Sequence, residues 1–308
     1  SIAMVAVSAL PAPELLRAPL STGVELEWRR QQPASMDTHR APLLFVHGTF
    51  HGAWCWSEKW MPRFSAALGC TCHAVSLRGA SGSPTLDGAT KIRISQHVDD
   101  LRAFVDDTLC VQGVAPPVLV GHSFGGASVL KYLEVSGTAS GAALLCSVPP
   151  SGNVPMTGRL IRRSLRTSWL VTRGLALKTA ARSADDARAL FFDSQLPAEE
   201  LVEYVDRFKA DSLCGLDLAD FTRNLPSLSA GTDGCAAWLD HCPPVMVAGG
   251  EADIVVDEEG VRETATFLGV QPVMLPQTAH DVMLASGWEQ AADTVIDFCR
   301  TITVPDTA

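Results

Sequence analysis

The sequence predicts an α/β protein: a mostly parallel sheet of eight strands, helices on both faces, and a helical insertion after the sixth strand. Three observations carry this. Near-continuous apolar runs alternate with amphipathic stretches, the pattern of strands buried on both faces. One such run, Pro117–Val120, leads directly into Gly121-His122-Ser123-Phe124-Gly125 and then into the helical stretch Ala127–Leu133, a strand–turn–helix junction with serine at its apex. The segment 149–241 breaks the alternation and contains no convincing strand.

In chain order, LLRAPL (15–20) and VELEWR (24–29) flank Ser21-Thr22-Gly23, a hairpin signal in which Gly23 supplies positive φ. PLLFVH (42–47), CHAVSL (72–77), PVLVGH (117–122), AALLCS (142–147), PVMVAG (244–249) and PVMLP (272–276) complete the strands. Helical periodicity falls at Glu58–Leu68, Ser95–Val111, Phe124–Val135, Glu258–Leu268 and Trp288–Arg300. Pro149-Pro150-Ser151-Gly152-Asn153 ends the alternation and Cys242-Pro243-Pro244 restores it. Between them, 159–182, 197–210 and 217–225 read as helices. The expected organisation is a core of 1–148 and 242–308 carrying a helical lid over 149–241.

A chain of 308 residues with 47% apolar and 19% charged residues has enough material for a large buried core. Its net charge of −10 opposes general binding to nucleic-acid phosphates, and no apolar run approaches the length of a membrane span. Nine cysteines, an odd number without a C-x-x-C pair, read as small buried hydrophobes in a reducing compartment, cytoplasm or chloroplast. Cys70-x-Cys72 with His73 does not make a metal site, because alternation along a strand separates Cys72 from its neighbours. The stretch 1–20 lacks a basic n-region and a full apolar core, so it reads as an expression remnant or the remainder of an organellar presequence, not as an intact signal peptide.

The chemistry centres on Ser123. A sharp strand-to-helix turn crowds its flanks, which favours residues without Cβ and leaves the apical side chain exposed, as in the nucleophile elbow G-x-S-x-G. An attacked carbonyl needs N–H donors for its developing charge. Phe124 offers one at a helix N-terminus, and the His47-Gly48-Thr49 turn after the third strand offers the Thr49 N–H. Of the eight histidines (39, 47, 51, 73, 97, 122, 241 and 280), His280 lies past the last strand, on the sheet edge that carries the elbow. His122 is expected to point away from Ser123, and His47 and His51 to be structural. Asp253, past the seventh strand, reaches the same edge. Glu251, Asp257, Glu258 and Glu259 are alternatives, the last three reading better as helix-start residues.

The order Ser123, Asp253, His280 together with HGTFHGAWCW, GHSFGG and LRGASGS (77–83) resembles the α/β-hydrolase superfamily over nearly the whole chain. HGTFHGAWCW and GHSFGG are similar to its plant methylesterase and hydroxynitrile lyase branch. LLCSVPPSGN, DEEGVRE and AHDVML look closer to plant, algal and cyanobacterial members. The resemblance implies a lidded eight-stranded α/β-hydrolase fold, Ser123 as nucleophile, His280 as base, Asp253 as acid, and the Thr49 and Phe124 N–H groups as oxyanion hole. One departure counts against a lyase: those enzymes carry Lys directly after the catalytic His and Thr directly after the first His of the oxyanion loop. Here Asp281 and Gly48 stand there.

The function read from this constellation is hydrolysis of a small-molecule carboxylic ester, apolar or amphiphilic, through an acyl-enzyme and without cofactor or metal. A non-hydrolytic ligand receptor on the same fold is the alternative, and a lyase the third reading. Phe191, Phe192, Trp169, Phe208 and Phe221 in the lid suit either an apolar substrate group or simple packing of lid on core. Arg159, Arg162, Arg163, Arg166, Arg173, Lys178 and Arg182 lie in a stretch with no acidic residue, leaving 17 basic against 34 acidic residues elsewhere. Interleaved with Leu160, Ile161, Leu165, Trp169 and Leu170, they form a basic amphipathic segment suited either to an anionic membrane surface or to docking on the chain's own acidic body.

Overall fold

The computed structural model describes residues 11–110, 114–135 and 138–304. The reading of residues 1–10 lies outside them. Eight strands form the central sheet: β1 (Glu14–Pro19), β2 (Glu25–Gln31), β3 (Leu43–Val46), β4 (Cys72–Val75), β5 (Val118–His122), β6 (Gly141–Leu145), β7 (Val245–Gly250) and β8 (Pro272–Leu275). Their spatial order is β1-β2-β4-β3-β5-β6-β7-β8. β2 pairs antiparallel with both its neighbours, β1 and β4, and every other pairing is parallel. The central strands β3, β4, β5 and β6 are buried along their whole length, as their continuous apolar sequences require, whereas β1 at the edge is mostly exposed.

This order contains a reversal. From β3 the chain crosses to β4 on one side, then returns past β3 to reach β5 on the other. Right-handed crossovers therefore put the α1–α2 connection on one face and the α4 connection on the opposite face. A crevice opens at the carboxyl ends of β3 and β5, where ligands bind in open α/β sheets. The helices concerned are α1 (Trp54–Ser57), α2 (Trp60–Leu68), α3 (Ile94–Phe104) and α4 (Phe124–Val135). Past Phe104 the expected helix widens into a π-turn over Val105–Leu109. Phe45 of β3 packs on Trp56 with centroids 5.0 Å apart and edge-on to Phe64 at 5.3 Å, while Trp60 stacks on Phe64 at 5.1 Å. Burying such rings contributes about 1.5–3 kcal/mol each, and the cluster fixes β3 and the loop that leaves it.

Between β6 and β7 the chain forms α5 (Asn153–Arg163), α6 (Leu165–Ala176), α7 (Ala184–Phe191), α8 (Ala198–Asp211) and α9 (Leu218–Arg223). Helices α10 (Glu258–Phe267) and α11 (Trp288–Arg300) follow β7 and β8. The insertion departs from expectation in three places. Ser164 is extended (φ −160°, ψ 111°) and its Oγ accepts from the Thr167 N–H at 3.1 Å, so the single helix expected over 159–182 is two capped helices. Helix α7 was not expected. Ser183 caps it and Asp185 and Asp186 sit in its first turn, an N-terminal signal legible in S-A-D-D. A short parallel ladder joins Lys91–Ile92 to Gly215–Leu216, correcting the expectation of no strand in the insertion. Two residues are too few for alternation to show.

Candidate active site

At the end of β5 the backbone of Ser123 turns left-handed, φ +55°, a conformation that costs a non-glycine residue about 1–2 kcal/mol. The surroundings hold it there. Its N–H donates to the Leu145 carbonyl at 3.0 Å, and its carbonyl accepts from the Ala127 and Val148 N–H groups, each at 3.2 Å. Gly125 permits the turn: a Cβ there would stand 2.3 Å from the His47 carbonyl oxygen, which no side chain survives. Phe124 opens α4, so its N–H is among the first-turn donors that have no partner within the helix.

Ser123, His280 and Asp253 form one hydrogen-bonded relay. The Ser123 hydroxyl lies 3.1 Å from His280 Nε2, and His280 Nδ1–H donates to Asp253 Oδ2 at 2.7 Å. The other Asp253 oxygen, Oδ1, accepts from the N–H groups of Val255 (2.7 Å) and Val256 (3.0 Å), which fixes the carboxylate plane. Burial works against an imidazolium at His280. Asp253, by charge and hydrogen bond, and then Asp281 outweigh it and hold His280 above the ordinary histidine value. Of the alternative acids, Asp257 caps α10 through the Gly260 N–H, and Glu258 and Glu259 occupy its first turn; Glu251 is exposed.

The loop after β3 is pinned by two histidines. His47 Nδ1–H donates to the Gly48 carbonyl at 2.8 Å and Nε2 accepts from the Leu77 N–H at 2.9 Å, so the ring is neutral; burial depresses its pKa to about 3. His51 differs. Its Nδ1 lies 2.7 Å from the Thr49 carbonyl and its Nε2 lies 2.9 Å from Asp281 Oδ2. The His51 ring thus bridges the Thr49 carbonyl and the buried Asp281 carboxylate. Burial opposes the Asp281 charge, but His51, then His122 and His280, hold its carboxyl below the usual range. The residue after His280 thus reaches the loop that carries Thr49. That contact spans 230 residues of chain and has no local sequence signal.

His122 corrects an expectation. Its ring stays in the site, 4.8 Å from the His280 ring by centroids, and Nε2–H donates to the His280 carbonyl at 2.9 Å. Burial, and next the nearby His280, depress its pKa to about 3, so it stays neutral and braces the His280 backbone.

Ser123 opens into a small cavity of about 30 Å³, lined on its apolar side by Val148, Met156, Leu175, Phe191, Val255 and Val256. A second chamber, about 60 Å³, shares Thr49, His51 and Phe124 with it and is bounded by Leu77, Ile92 and Leu216. A larger groove of about 720 Å³, flanked by Glu27, Arg29, Trp54 and Arg207, opens elsewhere and does not reach Ser123. Phe191 is the insertion aromatic that lines the cavity. Its ring lies 5.8 Å from the His280 ring and its carbonyl accepts the Asp281 N–H at 3.0 Å. Phe192, Phe208 and Phe221 are buried in packing, and Trp169 is exposed.

Two groups of ligand-type atoms crowd the site, His122 with His280 and Asp281, and Cys146 with Asp253 and His280, each within 4.8 Å. Their chemistry suits proton transfer better than an ion. His280 already bridges Asp253 and Ser123, and burial, then Asp253, raises the Cys146 thiol well above its usual value, against the thiolate that a metal selects.

Comparison with known proteins bears on the family and the fold. The model of the alpha/beta hydrolase family matches residues 43–297. A pheophorbidase from Raphanus sativus is 36% identical over 91 residues, 30% of this chain and 32% of the relative. Methyl jasmonate esterase 1 from Vitis vinifera is 32% identical over 99 residues, 32% of this chain and 36% of the relative. The chain thus spans about a third of the length of these relatives. Among solved structures, an esterase from Thermogutta terrifontis superposes with a TM-score of 0.66 at 16% identity, covering 94% of this chain and 100% of that one. Epoxide hydrolase A from Mycobacterium thermoresistibile gives 0.68 at 19%, covering 95% and 100%. At such identities the likeness is one of fold.

Proposed function

The chain belongs to the alpha/beta hydrolase family, and from that premise we propose that it is a serine hydrolase cleaving the carboxylic ester of an apolar or amphiphilic small molecule. The observation that carries this is the relay of Asp253, His280 and Ser123 at 2.7 and 3.1 Å beneath the start of α4. In this reading His280 Nε2 takes the Ser123 proton as Oγ attacks the ester carbonyl. The oxyanion is received by the N–H groups of Thr49 and Phe124. His280 then protonates the departing alcohol, and a water deprotonated by the same nitrogen releases the acid. In this reading the described residues within 1–148 and 242–308 form the core, and residues 149–241 are its lid. The relatives' printed names, a methyl jasmonate esterase among them, support an ester substrate.

The cavity beside Ser123 is small, about 30 Å³, which favours a short alcohol on one side of the carbonyl. Steady-state hydrolysis of methyl, butyl and octyl esters of one apolar acid tests this, with Ser123→Ala as control. Turnover should fall as the alcohol lengthens, and no multiple turnover with any ester would return the protein to the class of ligand receptors. The lyase reading meets a steric obstacle: at Gly48 a Cβ would stand 2.8 Å from the Ser123 Cβ and 3.1 Å from His122 Nδ1, so the threonine of the lyases does not fit unless these neighbours shift. All nine cysteines are free thiols, and no described helix is long and apolar enough to cross a membrane. A reducing compartment, cytoplasm or chloroplast, suits that cysteine usage.

Two predictions arise here. His280 accepts a proton only when neutral, and its pKa is raised above 6.5. Activity should therefore be low at acid pH and rise through a midpoint above 6.5, as read from a pH–kcat/KM profile; a midpoint well below that value would contradict the assignment. The second concerns positioning. If the His51–Asp281 pair holds the peptide of the oxyanion loop, Asp281→Asn and His51→Gln should lower kcat by about ten- to a hundredfold with KM little changed. Equal losses in kcat and 1/KM, or none, would assign the pair to packing alone.

A further inference from the structure

Helices α5 and α6 each have two unlike sides. Inward, Met156 of α5 and Leu175 of α6 line the cavity over Ser123. Outward, α6 presents Leu165, Trp169, Thr172 and Ala176, spaced four, three and four residues apart and all exposed, so they form one stripe. Leu165 is 74% exposed and Trp169 61%; Val154 (72%) and Ile161 (47%) extend the apolar surface along α5. Single exposed apolar residues are ordinary, but a contiguous stripe containing tryptophan marks an interaction surface.

The charges on these helices divide in two. Arg159 and Arg163 pair with Asp257 and Arg163 also with Glu259, which docks α5 on the core, whereas Arg173 pairs with Asp186 of α7 within the insertion. Arg162, Arg166 and Arg182 are exposed, and no acidic partner is recorded for them among the described residues. No acidic side chain occurs from Asn153 to Arg182, while the rest of the chain is strongly acidic. Without such partners among the described residues, Arg162 and Arg166 leave a locally basic outer face beside the apolar stripe.

We propose that this outer face of α5 and α6 docks on an anionic lipid bilayer, with Leu165, Trp169 and Ile161 entering the headgroup boundary and Arg162 and Arg166 meeting lipid phosphates. The charge separation decides the occupant. A second copy of the same face would bring like charges together, whereas an anionic bilayer complements the arginines and takes the apolar stripe. Docking in this way leaves one helix thickness, about 10 Å, between the lipid boundary and the cavity. The inference does not rest on the hydrolase reading, because the residues it uses lie outside the relay.

The test is flotation of the full chain with vesicles of phosphatidylcholine alone and of phosphatidylcholine with phosphatidylglycerol. Wild type and Ser123→Ala should both float with the anionic vesicles, weakly or not at all with the neutral ones, and less as salt rises. The double variants Arg162→Glu/Arg166→Glu and Leu165→Ser/Trp169→Ser should each lose about tenfold or more in vesicle affinity, while their hydrolysis of a soluble ester without vesicles matches wild type. Wild type remaining with the unbound protein, or both double variants floating like wild type, overturns the proposal. So does a dimer in vesicle-free solution that the Leu165→Ser/Trp169→Ser variant dissolves, since the face would then be a contact between copies.

Discussion

Ser123→Ala should lower turnover by about 10⁴-fold or more and remove all labelling by a fluorophosphonate probe, read by intact-mass spectrometry of wild type and variant. The expectation follows from the elbow: the backbone strain at Ser123 is worth sustaining only if the exposed hydroxyl has a task. His280 Nε2 is 3.1 Å from that hydroxyl, and without Oγ the imidazole has nothing in the relay to deprotonate. Fold should be preserved, because the loss of one hydroxyl leaves the bonds that fix the turn, from the Ser123 N–H and to its carbonyl, intact. Equal labelling of the variant would place the nucleophile elsewhere.

Asp253→Asn should leave the protein folded and lower kcat by about 10⁴-fold, measured with the same ester under saturating conditions. The asparagine amide can turn an NH₂ toward His280 Nδ1, which then accepts rather than donates. The ring is left in the tautomer whose Nε2 carries a proton and cannot take one from Ser123. The N–H groups of Val255 and Val256 favour an oxygen at the Oδ1 position, which steers the amide nitrogen toward the histidine. His280→Ala should cost a comparable factor, and retention of near-normal turnover in that variant would make another histidine the base.

Much of this site was legible in the chain because its parts lie at strand ends, where local pattern is strongest. Strand boundaries fall within two residues of the apolar runs, and Ser123, Asp253 and His280 each follow a recognisable strand by a short step. What escaped notice depends on contacts between distant segments. In the chain Asp281 stands out only as the residue where the lyases carry Lys, until the fold brings His51 to it, and His122 reads as a flanking residue until its ring meets the His280 carbonyl. The break at Ser164 and helix α7 carried local capping cues, Ser164-x-x-Thr167 and Ser183-x-x-Asp186, that a count of apolar periodicity alone passes over.

The contacts of Phe191 tie proton affinity to occupancy. Its ring is the insertion's cover over His280, and its carbonyl holds the next residue's N–H. A ligand seated between Phe191 and Ser123 would fill the cavity beside the imidazole and make the charged ring costlier, so bound and free protein would hold the His280 proton with different strength. Thermodynamic reciprocity then requires that protonating His280 weaken the ligand by the same factor. Acidification would thus act on the protein twice, withdrawing the base and loosening its ligand, and a shift of pH becomes a means of release as well as of arrest.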